Sequence, residues 1–170
     1  AAGLAVVCSL AEGKSHCITR LSEAQEYLRN DEVPLEMAEA LLDQGIREIW
    51  IAPAGEGDAE GYAAALRLLE EISLKSVLSD SSQLEIHQLM KESIHRCAQQ
   101  KRERTGVVFT DEIGEEAIRH GEALNSERMV LVAQKAERIR GSEAVTGAAV
   151  SAALAGIVAS AQPGTNFNGS

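Results

Sequence analysis

The sequence predicts an α/β fold, a three-layer sandwich in which a mostly parallel central sheet carries helices on both faces. Three observations predict it. Short runs at 3–10, 46–54, 76–79, 106–110 and 128–133 read as strands, and 46–54, with β-branched and aromatic members and no clean alternation, has the pattern of a strand covered on both faces. Segments of helical periodicity fall between these runs, which implies parallel strands joined by right-handed crossovers. Finally, 170 residues that are 45% hydrophobic but only 3% aromatic let one domain bury a core of Ala, Val, Ile and Leu. Such a core favours close packing of helix on sheet over large ligand cavities.

The chain is organised around residues 45–72. Ile49, Trp50 and Ile51 mark a strand inside 46–54, closed by Pro53. Gly55 and Gly57 turn the chain and Asp58 caps a helix carrying Tyr62, Leu66, Leu69 and Ile72 at helical spacing. Before this unit, 3–10 (GLAVVCSL) is a first buried strand, AEGK is the turn that leaves it, and 17–19 is a short extended piece. Ser22 is expected to cap a brief helix with Leu21 and Tyr27 available for packing. A polar break at 30–34 precedes a helix over 35–44, begun after Pro34 and stopped by Gly45. After the unit come a short strand at 76–79 and the longest helix, 82–102, with the stripe Ile86, Leu89, Met90, Ile94 and Cys97. A strand at 106–110, a helix over 114–124, a strand at 128–133, a turn through 138–141 and a last helix over 145–161 complete the order. The closing GTNFNGS reads as a frayed turn, and its abruptness suggests further chain beyond it. The chain contains no internal repeat or low-complexity tract.

Composition narrows the function classes. A formal charge of −10 with a pI near 4.9 opposes nucleic-acid binding, because phosphates would be repelled without a dense basic patch. The only basic run, Lys101 to Arg104, reads as a solvated helix end. Cys8, Cys17 and Cys97 form an odd, widely spaced set with no CxxC pair, which indicates free thiols in a reducing compartment. No apolar run reaches the roughly 20 residues of a membrane span, and no signal-peptide pattern is present, so no membrane insertion is expected.

Four groups of residues are candidates for chemistry. GEGDAEG at 55–61 follows a strand and opens a helix, the context of a dinucleotide loop. Its spacing is GxGxxxG, however, and Glu56, Asp58 and Glu60 would repel phosphates, so acidic residues at a helix N-terminus are the simpler reading. His87 and His95 lie two turns apart on one helix, about 12 Å, too far to share a metal. His95 and Cys97 point to different faces, and all three read as ordinary helix residues. Asp111, Glu112, Glu115 and Glu116 could hold a divalent cation but fit a helix start better. Asp80 and His120 follow the Asp-then-His order of a hydrolase, yet no GxSxG elbow exists and no serine is evidently served by His120. No catalytic, cofactor or metal residue is therefore assigned.

The last helix, SEAVTGAAVSAALAGIVASA, is rich in small residues that permit close approach to its neighbours. Its TGAAVSAALAG resembles the closing helix of subtilisin-like domains, GTSMAxPxVAG. With LAG at 154–156 laid on VAG, Ala148 occupies the place of the nucleophilic serine. A subtilisin-like sheet without a catalytic triad resembles the contractile tail sheath proteins of bacteriophages and related injection machines. GLAVVCSLAEG, PLEMAEALLDQGIREIWIAP, IHRCAQQKRERTGVVFTDE and ERMVLVAQ followed by AAVSAALAGIVA resemble, in the same order, the strands and helices of that family. The resemblance is spread over most of the chain; the family is generally longer, with a C-terminal domain and extended arms, so residues 1–170 are read as a single sheath core domain, a fragment of a longer protein being the alternative.

The resemblance implies a structural, non-enzymatic subunit of a virion tail, assembled in the bacterial cytoplasm. Its partners would be copies of itself in stacked hexameric rings and a tail tube protein, with no cofactor. Arms that add strands to neighbouring sheets would link rings that slide during contraction. The pairs Glu70 with Lys75 and Arg96 with Glu103 are expected on solvated faces available to subunit contacts. The alternatives are a Rossmann-like nucleotide-binding domain using Gly55 and Gly57, and a subtilisin-like hydrolase using Asp80 and His120.

Overall fold

Six strands pair into one sheet in a computed structural model, which describes residues 3–10, 16–133, 137–139, 143–145 and 147–160. They are β1 (Gly3–Cys8), β2 (His16–Ile18), β3 (Ile49–Pro53), β4 (Leu74–Ser79), β5 (Thr105–Thr110) and β6 (Met129–Ala133). Their spatial order is β2-β3-β1-β4-β5-β6, with β2 antiparallel to β3 and every other pair parallel. The five parallel strands alone run 2-1-3-4-5, the flavodoxin-like doubly wound order. Successive strands of such a sheet need crossovers, and helices supply them: α1 (Leu21–Tyr27), α2 (Glu32–Asp43), α3 (Ala59–Leu69), α4 (Leu84–Gln99), α5 (Glu115–Leu124) and α6 (Gly147–Ser160).

The alternation of side chains along β1 builds the three layers. Leu4, Val6 and Cys8 pack with Met37, Ala38 and Leu41 of α2 and with Ala148, Ala152 and Ala155 of α6. Ala5 and Val7 point the other way, into Tyr62, Ala65 and Leu66 of α3, Ile86 and Met90 of α4, and Leu124 of α5. All six residues of β1 are buried, as their unbroken apolar run requires. The predicted three-layer α/β sandwich is thus present, with α1, α2 and α6 on one face and α3, α4 and α5 on the other.

Local chemistry accounts for most element ends. Gly45 ends α2 with φ +84°, the left-handed conformation in which a side chain is strained. Asp58 accepts a hydrogen bond from the Gly61 amide at 2.8 Å and so caps α3. Three predicted boundaries need correction. Ser22 lies inside α1, which is flanked by Arg20, while the Thr19 hydroxyl donates to Glu23 at 2.8 Å. The helix expected to begin after Pro34 begins at Glu32; proline is accommodated because the first turn leaves its amides unpaired in any case. The longest helix starts at Leu84 and stops at Gln99.

A small antiparallel hairpin, β7 (Glu137–Ile139) with β8 (Glu143–Val145), stands around the expected turn and takes in Val145, which the sequence placed in the last helix; that helix begins at Gly147. Parts of that turn, the AEGK turn and the terminal GTNFNGS lie outside the described residues.

The basic run also departs from expectation. Lys101, at φ +61°, ends the helix, but Arg104 is only 4% exposed. It donates from Nη1 to the Leu69 carbonyl at 2.9 Å and from Nη2 to the Ile72 carbonyl at 2.6 Å, while Arg102 donates to the Glu70 carbonyl at 2.7 Å. The run is a clamp on the carbonyl-rich end of α3, where positive charge is favoured. Glu70 correspondingly pairs with Arg96, through bonds of 3.2 and 2.9 Å, and Glu103 pairs with Arg128 at 3.4 Å. Glu70, expected on a solvated face, is instead buried against Arg96. Among the described residues no helix is long and apolar enough to cross a membrane.

Candidate functional site

In open α/β sheets ligands sit beyond the carboxyl ends of the strands, near the point where strand order reverses. Here that point lies between β1 and β4, and it is occupied by a knot of hydrogen bonds. The Asp80 carboxylate, just after β4, accepts from the Ser9 amide at 3.1 Å and from the Tyr62 hydroxyl at 2.5 Å. The Ser9 hydroxyl in turn donates to the Gly55 carbonyl at 3.2 Å. Burial raises the pKa of Asp80 above the usual carboxylate range, against the pull of Tyr62 and Ser9. Burial, reinforced by Asp80, likewise pushes the Tyr62 phenol and the Cys8 thiol upward.

The glycine loop after β3 belongs to this knot. Gly55 and Gly57 have φ of +63° and +86°, and a methyl group at Gly57 would lie 2.8 Å from the Ser9 hydroxyl. A methyl group at Gly61 would come within 2.0 Å of the Ala54 carbonyl, so this glycine lets α3 close on the end of β3. The loop's glycines thus have geometric reasons that involve no phosphate. Glu56, Asp58 and Glu60 stand at the helix start, where they match its dipole.

A second constellation lies on the α4–α5 side. His87 is fully buried; its Nε2 lies 2.7 Å from the Ser81 carbonyl and its Nδ1 lies 2.8 Å from His120 Nε2. His120, 3% exposed, places Nδ1 2.7 Å from a carboxylate oxygen of Glu112. The Glu112 carboxylate also accepts from the Thr110 hydroxyl at 3.2 Å, and the Glu112 backbone amide donates to that hydroxyl oxygen at 3.1 Å. Burial lowers the pKa of His87 to about 4, with the Ser81 carbonyl opposing and His120 adding to the fall. The His120 and Thr110 bonds hold Glu112 below the usual carboxylate range. Beside the chain is an open cavity of about 480 Å³, bordered by Ser82, Gln83, Thr110, Asp111, Glu112 and Glu116.

The structure therefore regroups the sequence candidates. Asp80 and His120 are not brought together: each is bonded within a different cluster. His95 bonds the Ser126 hydroxyl at 3.0 Å on the surface, while Cys97 is buried in the core. Glu115 pairs with Arg119 at 3.4 Å, and neither Glu115 nor its acidic neighbours form a side-chain cap on α5. Among the described residues no group of three or more His, Cys, Asp or Glu is placed to hold a metal. Sequence reading missed the joining of His87 to His120. Periodicity held a clue, since His87 is three and seven residues before the buried Met90 and Ile94, and His120 is four before Leu124.

Ala148 lies at the start of α6, 2% exposed and packed in the layer shared with α2. His120 and Tyr62 belong to helices on the opposite face of the sheet. No protein-family model matches the chain, and no curated protein is similar to it.

Proposed function

We propose that the chain is a non-enzymatic structural subunit, the core domain of a contractile tail sheath, which stacks in hexameric rings around a tail tube and shortens to drive the tube through an envelope. The observation that carries this reading is Ala148. At the position where the resemblance puts a subtilisin-like nucleophile, a methyl group is sealed into the layer between sheet and α2, across the sheet from the helix that bears His120. A methyl group cannot attack a carbonyl, and Asp80 is already engaged by Tyr62 and Ser9.

Two further features support the reading. The core is built from close-packed small and branched aliphatic residues, which suits a body that moves as a rigid unit during contraction. Among the described residues the edge strands β2 and β6 each pair on one side only, leaving sheet edges of the kind to which an arm from a neighbour adds a strand. The role implies a virion tail assembled in the bacterial cytoplasm, with self-association and a tail tube protein as partners.

Electron microscopy of the full-length gene product tests the proposal. Hollow striated tubes are the expected result, and persistent monomers would overturn it. A nucleotide-binding reading draws on the glycine loop beside the reversal of strand order. It predicts a thermal shift with NAD or ATP, since a ligand at about 100 times its dissociation constant adds roughly 2.7 kcal/mol; the sheath reading expects none.

A further inference from the structure

The chain Ser81–His87–His120–Glu112 poses a counting problem in protons. Its three links require three hydrogens, one in each. A carbonyl stands at one end and a carboxylate at the other, and both only accept. Two neutral imidazoles carry two N–H groups, so one link would leave two lone pairs facing each other. A third proton completes the chain.

Geometry also directs where that proton sits. The Ser81 carbonyl makes His87 Nε2 the donor. If His87 is neutral, its Nδ1 must accept from His120 Nε2–H, and His120 Nδ1–H must then point at Glu112. Burial disfavours charge on His87, and the bond from His120 favours the ionised form of Glu112. The completed chain is then an imidazolium on His120 beside a carboxylate, with no net charge.

We propose that this chain is a proton-dependent clasp that ties the segment after β5 to helices α4 and α5, closed when His120 holds the extra proton and open at the Glu112 link when it is lost. The titratable groups facing His120 are His87 from α4 and Glu112 from the segment after β5. The strand β6, packed on α5, offers only the apolar Met129–Ala133. Asp111 and Glu116 border the same cavity as Glu112, and Asp80 is engaged with Tyr62 and Ser9. Opening the link would free Glu112, whose side chain is 43% exposed, into that cavity.

The substitution Glu112→Gln provides a sharp test, because an amide can donate to His120 Nδ1 and complete the chain with two neutral imidazoles. Urea unfolding is measured between pH 6 and pH 8 for the wild type, Glu112→Gln and Glu112→Ala. The wild-type folding constant should fall by up to about tenfold per pH unit above the unfolded histidine value of about 6.5. That component should be missing from both variants, and at pH 8 the Gln protein should be the more stable of the two. Nitrogen-15 NMR at pH 6 should show both ring nitrogens of His120 protonated and only Nε2 of His87. Equal pH slopes in wild type and Glu112→Gln, or two neutral imidazoles at pH 6, would overturn the proposal.

Discussion

The Tyr62 hydroxyl donates to the Asp80 carboxylate at 2.5 Å, tying the first turn of α3 to the end of β4 across the point where strand order reverses. Removing that donor by Tyr62→Phe leaves a desolvated carboxylate oxygen unpaired. A loss of about 1.5–3 kcal/mol is expected for a bond to a charged group, read from urea unfolding at pH 7. The pH dependence has a definite sign. Asp80 is raised above its unfolded value, so the stability linked to its protonation is present in acid and lost as pH rises through the folded value. The phenol holds that value down, so the deficit of Tyr62→Phe should be largest at neutral pH and shrink on acidification. A deficit independent of pH would show that the carboxylate is not what the phenol serves.

Gly55 and Gly61 separate two reasons for glycine within one loop. At Gly61 an added methyl group meets the Ala54 carbonyl at 2.0 Å, and Gly61→Ala should lose about 1–3 kcal/mol or more as α3 is forced off β3. At Gly55 no atom lies within 4 Å, but φ is +63°, so Gly55→Ala should lose only about 1–2 kcal/mol through backbone strain. Thermal unfolding of the two variants would rank them; the reverse ranking would contradict the packing of α3.

Arg104 acts through geometry as well as charge. Its fork reaches the Leu69 and Ile72 carbonyls together, which the single ammonium of Arg104→Lys cannot reproduce. Both Arg104→Lys and Arg104→Met should destabilise, the latter by roughly 2–6 kcal/mol if each of the two orphaned carbonyls costs about 1–3. Faster hydrogen exchange in the last turn of α3 would locate the effect; unchanged exchange there would contradict the clamp.

Ala148→Ser restores a hydroxyl at the position the subtilisin-like comparison singles out. Burying it should cost about 1–3 kcal/mol, and no labelling by a serine-directed fluorophosphonate should appear, since His120 belongs to the opposite layer. Stoichiometric labelling of wild type or variant would refute the non-enzymatic reading.

Much of this architecture was legible in the residues. The unbroken apolar runs of β1 and β5 are buried along nearly their whole length, and Gly45 and Asp58 end α2 and begin α3 as local chemistry demands. The β7–β8 hairpin was not legible, because three-residue strands are too short to show a period. Arg104 was misread for a different reason. A basic run looks solvated until the end of a distant helix is packed over it.

By itself, then, the sequence determined most of the elements of this protein: which longer segments are strands or helices, and which positions turn the chain, since these depend on neighbours a few residues apart. Only the tertiary structure decided that His87 meets His120 across 33 residues, that Asp80 answers to Tyr62 rather than to a histidine, and that Ala148 and His120 lie on opposite faces of the sheet. Those relations depend on strand order and on which helix covers which face, and contacts between residues so far apart in the chain leave no local pattern to read.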